Sequence, residues 1–121
     1  MYRYAIEKLY KWKEDKYRKP LIIEGARQVG KTWLMKEFGL EAYADTVYIN
    51  FDSNPRMAEL FSSDLNTDRL IMGFELYSGK KIEADNTLLI FDEIQEVPRA
   101  LSSLKYFCEN APEYHIICAG S

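Results

Sequence analysis

Four short apolar runs, separated by stretches with helical spacing, constrain this chain more than anything else in it. The runs are "LIIE" (Leu21 to Glu24), "TVYINFD" (Thr46 to Asp52), "TLLIFDE" (Thr87 to Glu93) and "YHIICAGS" (Tyr114 to Ser121). Each is nearly continuous in apolar residues, as strands buried on both faces of a parallel sheet are. Parallel neighbours need long crossovers, usually helical, and the intervening segments supply them. "KTWLMKEFG" from Lys31 reads as a helix ended by Gly39. Asn54 and Pro55 form an N-cap and first-position pair for a short helix over "PRMAELF". Thr67 is expected to cap a helix with Leu70, Ile71, Phe74 and Tyr77 on one face and Gly79 at its end. Pro98 opens a helix expected to bury Leu101, Leu104, Phe107 and Cys108. Ahead of the first run, Tyr2, Ile6, Leu9 and Tyr10 recur at helical spacing beside Ala5 and Trp12, so an amphipathic helix is expected over residues 2–17. The fold class is α/β, a three-layer sandwich with helices on both faces of a parallel sheet.

Composition narrows the functional classes. The chain has 121 residues, enough for one small domain with a limited core. A net charge of −3 gives no global basic excess of the kind that marks nucleic-acid or membrane-surface binding. The basic residues Lys11, Lys13, Lys16, Arg18 and Lys19 are interleaved with Glu14 and Asp15 and read as a solvated face. Cys108 and Cys118 lack metal-like or C-x-x-C spacing and read as reduced and structural, and His115 as a strand residue with no ligand role. No run approaches the roughly 18 apolar residues of a membrane span. The N-terminal segment is too charged for a secretory signal, so a cytoplasmic protein is expected. Repeats, low-complexity segments and a second domain are absent. A chain ending on "AGS" at a strand's carboxyl end reads as truncated after the fourth strand. Residues 1–121 are then the N-terminal part of a larger domain, with its nucleotide-binding core over about 20–121 and a C-terminal remainder missing.

Two motifs carry chemistry. The first is "GARQVGKT", Gly25 to Thr32, directly after the first apolar run. Phosphate binding needs backbone N–H groups pointing inward, a lysine reaching the terminal phosphates and a hydroxyl for magnesium. Gly25 and Gly30 permit the tight turns and close backbone approach, with Ala26, Arg27, Gln28 and Val29 between them. Lys31 and Thr32 begin a helix, whose positive dipole end faces the same place. The second motif is "LLIFDE", in which Asp92 and Glu93 end a strand. An acid at a strand tip beside such a loop holds magnesium, usually through water. A second acid directly after it is placed to orient or deprotonate an attacking water. The alternative for the pair is a simple solubilising strand end. For the loop it is a glycine-containing turn.

"GARQVGKT" followed by "LLIFDEIQ" and then "IICAGS" resembles the AAA-superfamily P-loop ATPases. More narrowly, the chain resembles the bacterial and archaeal ATPase domain that usually precedes a C-terminal domain of unknown function, with "YINFD", "DEIQ" and "GS" in that family's order. The resemblance implies that Lys31 contacts the β- and γ-phosphates, Thr32 and Asp92 serve magnesium, and Glu93 polarises water. Ser121 would be the polar sensor near the γ-phosphate. It also implies ATP and Mg2+ as ligands, a companion domain as partner, and a strand order that leaves the loop-bearing strand Leu21 to Glu24 at a bare edge, open to self-association. A lid with its sensor arginine would follow Ser121, so no arginine finger can be assigned.

Other residues carry two readings each. Arg27 touches phosphate or a neighbouring subunit, or is a solvated loop-tip charge. Gln95 relays nucleotide state or lies on the surface. Trp12 and Trp33 flank an adenine ring or pack in the core. Three functions compete: an Mg-dependent ATPase, a nucleotide-gated switch or scaffold with little turnover, and a phosphotransferase or GTPase on the same fold. GTPases typically follow the strand aspartate with x-x-Gly, whereas Glu93, Ile94 and Gln95 follow here, and a guanine-reading Asn-Lys-x-Asp is absent. The reading is an ATPase hydrolase in the full-length protein, with switch-like behaviour and weak or no hydrolysis in these 121 residues alone.

Overall fold

The computed structural model describes residues 2–24 and 30–120. Its strands are β1 (Leu21–Ile23), β2 (Asp45–Asn50), β3 (Thr87–Asp92) and β4 (His115–Ala119). They form one sheet in the order β1-β4-β3-β2, with every pairing parallel. The helices are α1 (Tyr2–Glu14), α2 (Gly30–Ala42), α3 (Pro55–Leu60), α4 (Thr67–Ser78) and α5 (Pro98–Asn110), with a single 3-10 turn at Ile94–Glu96 between β3 and α5.

Successive side chains of a strand point to opposite faces, which divides the apolar runs by parity. Leu88, Ile90, Ile117 and Ala119 pack with Ile6 and Leu9 of α1 and Met35 and Phe38 of α2. Val47, Ile49, Leu89, Phe91, Ile116 and Cys118 face the other way, against α3, α4 and α5. All six phenylalanines are fully buried, and five of them, Phe51, Phe61, Phe74, Phe91 and Phe107, lie on this second face. Phe74 is the hub, with the rings of Phe91, Phe61 and Phe107 at 5.3, 5.9 and 6.4 Å, and Phe91 continues the cluster to Phe51 at 5.3 Å. Burying a phenylalanine contributes about 1.5–3 kcal/mol, so this face holds the larger share of the core.

Several element ends differ from the sequence expectation. α1 stops at Glu14, because the turn after it is closed by the Asp15 carboxylate accepting from Tyr17 N at 2.9 Å. α2 does not end at Gly39 but continues to Ala42. Gly39 is instead where the helix crosses β2, since a Cβ there would lie 2.5 Å from Thr46 Oγ1. Asn66, not Thr67, caps α4, its side chain accepting from Arg69 N at 2.9 Å. Asn54 caps α3 as expected, accepting from Met57 N at 3.1 Å, and α4 ends at Gly79 in the left-handed region. On α5 the buried stripe is Ala100, Ser103, Leu104 and Phe107, with Leu101 exposed and Cys108 half-buried. Leu104 and Phe107 belong to both stripes, and Ala100 and Ser103 take the places expected for Leu101 and Cys108, a turn of about 60° at 3.6 residues per turn.

Arg18 does not lie on the solvated basic face expected for it. Its side chain is 13% exposed and donates to the carbonyls of Lys13 and Pro112 at 3.0 and 3.1 Å. It therefore pins the segment after α1 to the turn before β4. Among the described residues no helix is long and apolar enough to cross a membrane.

Candidate functional site

In open parallel sheets, ligands bind beyond the carboxyl ends of the strands. The register brings these ends together: Ile23 lies opposite Ala119, Phe91 opposite Cys118, and Asn50 opposite Asp92. β1 runs toward the N-terminus of α2, and the α2 residues Lys31 and Thr32 reach the ends of β4 and β3. The Lys31 ammonium donates to the carbonyl of Gly120 at 3.2 Å. The Thr32 hydroxyl donates to Asp92 Oδ2 at 2.6 Å, joining residues 60 positions apart.

Asp92 is the most constrained group in the site. It is 5% exposed, and a buried carboxylate is costly unless its lone pairs are used. Three donors use them. Thr32 Oγ1 and the Tyr48 hydroxyl both donate to Oδ2, at 2.6 and 2.7 Å, and the Glu93 amide donates to Oδ1 at 3.0 Å. Burial and the neighbouring Asp92 carboxylate raise the Tyr48 phenol well above its ordinary pKa, so it remains a donor across the working pH range. The Lys36 ammonium sits over the Tyr48 ring, 4.1 Å from its centroid.

β3 ends by an abrupt change of backbone. Glu93 has φ 53° and ψ 45°, the left-handed region that costs a residue with a side chain roughly 1–2 kcal/mol. The 3-10 turn follows, closed by Glu96 N to the Glu93 carbonyl and Val97 N to the Ile94 carbonyl, both at 3.1 Å. Ile94 anchors this turn in the core. Gln95, on the same turn, donates from Nε2 to Glu93 Oε1 at 2.8 Å. Its amide oxygen lies against Gly120, where a Cβ would run into it.

The structure thus brings Gly30, Lys31, Thr32, Asp92 and Glu93 to one end of the sheet. Gly25, Ala26, Arg27, Gln28, Val29 and Ser121 lie outside the described residues. Trp33 is 53% exposed, so it is no core residue. Trp12 belongs to the core between α1 and α2, with Phe38 and His115 beside its ring and Nε1 donating to the Lys19 carbonyl at 2.7 Å. Tyr48 was missed by sequence reasoning, and Gln95, given a surface reading there, is half-buried. A signal for Tyr48 existed: an aromatic hydroxyl stands in an aliphatic strand two residues before its end, on the parity that shares a face with Asp92.

The oxygens of Thr32 and Asp92 suit a hard divalent cation. Among the described residues no group of three or more His, Cys, Asp or Glu side chains gathers as a metal cage. Magnesium needs none, because it takes one or two protein oxygens and completes its shell with phosphates and water.

No curated protein matches the chain. Among models of known protein families, the AAA domain matches residues 17–121. That span includes β1 to β4, the loop-to-helix junction at Gly30 and the acid pair at the end of β3, and the chain belongs to the AAA domain family, with a P-loop ATPase-like fold.

Proposed function

We propose that this domain binds ATP with magnesium at the carboxyl ends of β1, β3 and β4 and hydrolyses the γ-phosphate. The observation that carries this reading is the 2.6 Å bond from Thr32 at the start of α2 to Asp92 at the end of β3. It joins the two motifs that the chemistry requires in one place.

Each residue then has a role. The backbone from Gly25 to Gly30 would cradle the phosphates, with the positive end of α2 behind it. Lys31, now on the Gly120 carbonyl, would turn to the β- and γ-phosphates. Thr32 and Asp92 would hold the magnesium, Thr32 through its hydroxyl and Asp92 through its carboxylate by way of water. When bound, magnesium neutralises charge that develops on the phosphate oxygens. Tyr48 keeps the Asp92 carboxylate oriented from the β2 side. Glu93 accepts a proton from the water that attacks in line. Ser121, directly after Gly120, would meet the γ-phosphate.

A nucleotide-gated switch with slow turnover is the second reading, favoured by Gly120 meeting both the Lys31 ammonium and the Gln95 amide, a link from the phosphate-binding lysine to the end of β3 that needs no hydrolysis. Calorimetry with ATP, ADP and GTP, with and without magnesium, tests the binding that both readings share. Lys31→Ala is expected to weaken ATP binding by roughly ten- to a hundredfold, because a hydrogen bond to a charged group is worth about 1.5–3 kcal/mol. An unchanged dissociation constant would retire the phosphate-loop assignment.

A further inference from the structure

Gln95 is gripped at both ends of its amide. Nε2 donates to Glu93 Oε1 at 2.8 Å and to Glu96 Oε2 at 3.3 Å. On the other side Oε1 lies against Gly120, where a Cβ would meet it, so any larger residue at 120 would displace the Gln95 amide. The turn that carries Gln95 cannot drift, since Ile94 is buried and two backbone hydrogen bonds close it. Gly120 in turn accepts the Lys31 ammonium at 3.2 Å. A continuous line of contacts therefore runs from Lys31 through Gly120 and Gln95 to Glu93, across the carboxyl ends of β4 and β3.

We propose that Gln95 is a positioning residue that fixes the Glu93 carboxylate against the carboxyl end of β4 and, through Gly120, couples it to the state of Lys31. The inference rests on the ATP reading of the site. The terminal torsion of a glutamate is broad, so a carboxylate without a fixed donor samples many orientations. An amide donor on Oε1 selects one of them and leaves Oε2 to take a proton. A general base must lie within about 2.6–3.2 Å of the water it deprotonates, and a 1 Å misplacement costs about a hundredfold in rate. The Gly120 carbonyl shares Lys31 with any incoming phosphate. When the ammonium turns away, Gly120 loses a charged donor, and Gln95 is the side chain seated on that residue.

Two readouts test the proposal on the full chain. In nucleotide-free protein, the side-chain NH2 resonances of Gln95 are expected to shift in Glu93→Ala, in Gly120→Ala and in Lys31→Ala, and to shift again when ATP and magnesium are added to the wild type. In turnover, Gln95→Ala is expected to lower kcat by roughly ten- to a hundredfold with KM for ATP within about twofold. Gln95→Glu keeps the volume but sets a carboxylate against Glu93 and Glu96, so it should match the alanine variant even if that variant folds poorly. The Gln95→Ala/Gly120→Ala double variant should lose no more than either single one. Wild-type kcat in both Gln95 variants, or losses that multiply, would overturn the proposal. So would ATP binding that leaves the Gln95 signal unmoved, and that last result decides the matter if the wild type turns over no ATP. No ATP binding by the wild type would instead overturn the underlying reading, and with it the coupling to Lys31.

Discussion

Asp92 sits at the centre of the site because three elements each give it one donor. Thr32 comes from α2, Tyr48 from β2 and the Glu93 amide from the end of β3 itself. Removing one donor leaves a lone pair of a nearly buried carboxylate unsatisfied, and a hydrogen bond to a charged group is worth about 1.5–3 kcal/mol. Tyr48→Phe is therefore expected to lower unfolding free energy by about that amount, read by urea denaturation of the metal-free protein. An unaltered midpoint would mean that water replaces the phenol at no cost. Glu93 differs, since its carboxylate is half-buried and needed for proton transfer rather than for folding. Glu93→Gln should keep ATP affinity and lose roughly 10²–10⁴-fold in hydrolysis, measured by phosphate release against calorimetric binding. Turnover at the wild-type rate would leave Glu93 with only its place in the backbone turn.

At the scale of elements, the start of β4 is fastened by a histidine expected only to be a strand residue. His115 is buried, with Nδ1 2.6 Å from the Tyr43 hydroxyl and Nε2 2.9 Å from Asp85 Oδ1. A carboxylate only accepts, so Nε2 carries the proton and Nδ1 accepts from Tyr43. β4 is thereby tied to the segment after α2 and to the turn before β3. Burial lowers the His115 pKa, and Arg18 and Lys13 push the same way, while the hydrogen bond to Asp85 and its charge oppose them. The unfolded chain, with an ordinary histidine near 6.5, therefore binds a proton more readily than the folded one. Stability from this residue is fully present above about pH 6.5 and falls as pH drops toward the folded pKa. Thermal denaturation from pH 7.5 to 5 should show that decline, and His115→Gln should start lower but lose less over the same interval. Equal slopes in the two proteins would assign the decline to carboxylates.

The whole molecule has two sheet edges, and they are treated differently. At β2, the Asp45 carboxylate accepts from Thr46 N, and Lys80 and Asn54 donate to the carbonyls of Thr46 and Asn50, each at 2.8 Å. Those side chains occupy the backbone groups that another strand would need. Among the described residues β1 pairs with β4 alone. Its Leu21 and Ile23 join the core beneath α1, so the N-terminal helix covers one face of the strand, while Ile22 on the other face is 41% exposed. An apolar edge without charge or proline is a template for strand addition. Concentration-dependent association is expected in sedimentation equilibrium, with Ile22→Lys shifting the equilibrium toward monomer. A wild type that stays monomeric at the highest concentrations would show that this edge is protected in another way.

The sequence alone determined the class of fold, because buried strands with helical crossovers leave a parallel sheet covered on both faces as the stable arrangement. It also named both motifs, since glycines, a lysine and paired acids at fixed offsets are local properties of the chain. It misplaced the end of α1 and the cap of α4 by a few residues through local hydrogen bonds, and its other errors fell where the deciding contact comes from another element. Gly39 looked like a helix stop, yet Thr46 of β2 explains it by close approach. Arg18 looked solvated until the Pro112 carbonyl met it from 94 residues away. Tyr48 stood out only as a hydroxyl among strand residues and Gln95 not at all, and neither named its partner, because the diagonal from Tyr48 to Asp92 and the contact of Gln95 with Gly120 exist only once the register of β2, β3 and β4 is set. Periodicity and turn chemistry act over a few residues and are written in the chain. Which side chain meets which across the sheet is a property of packing, and only the folded molecule decides it.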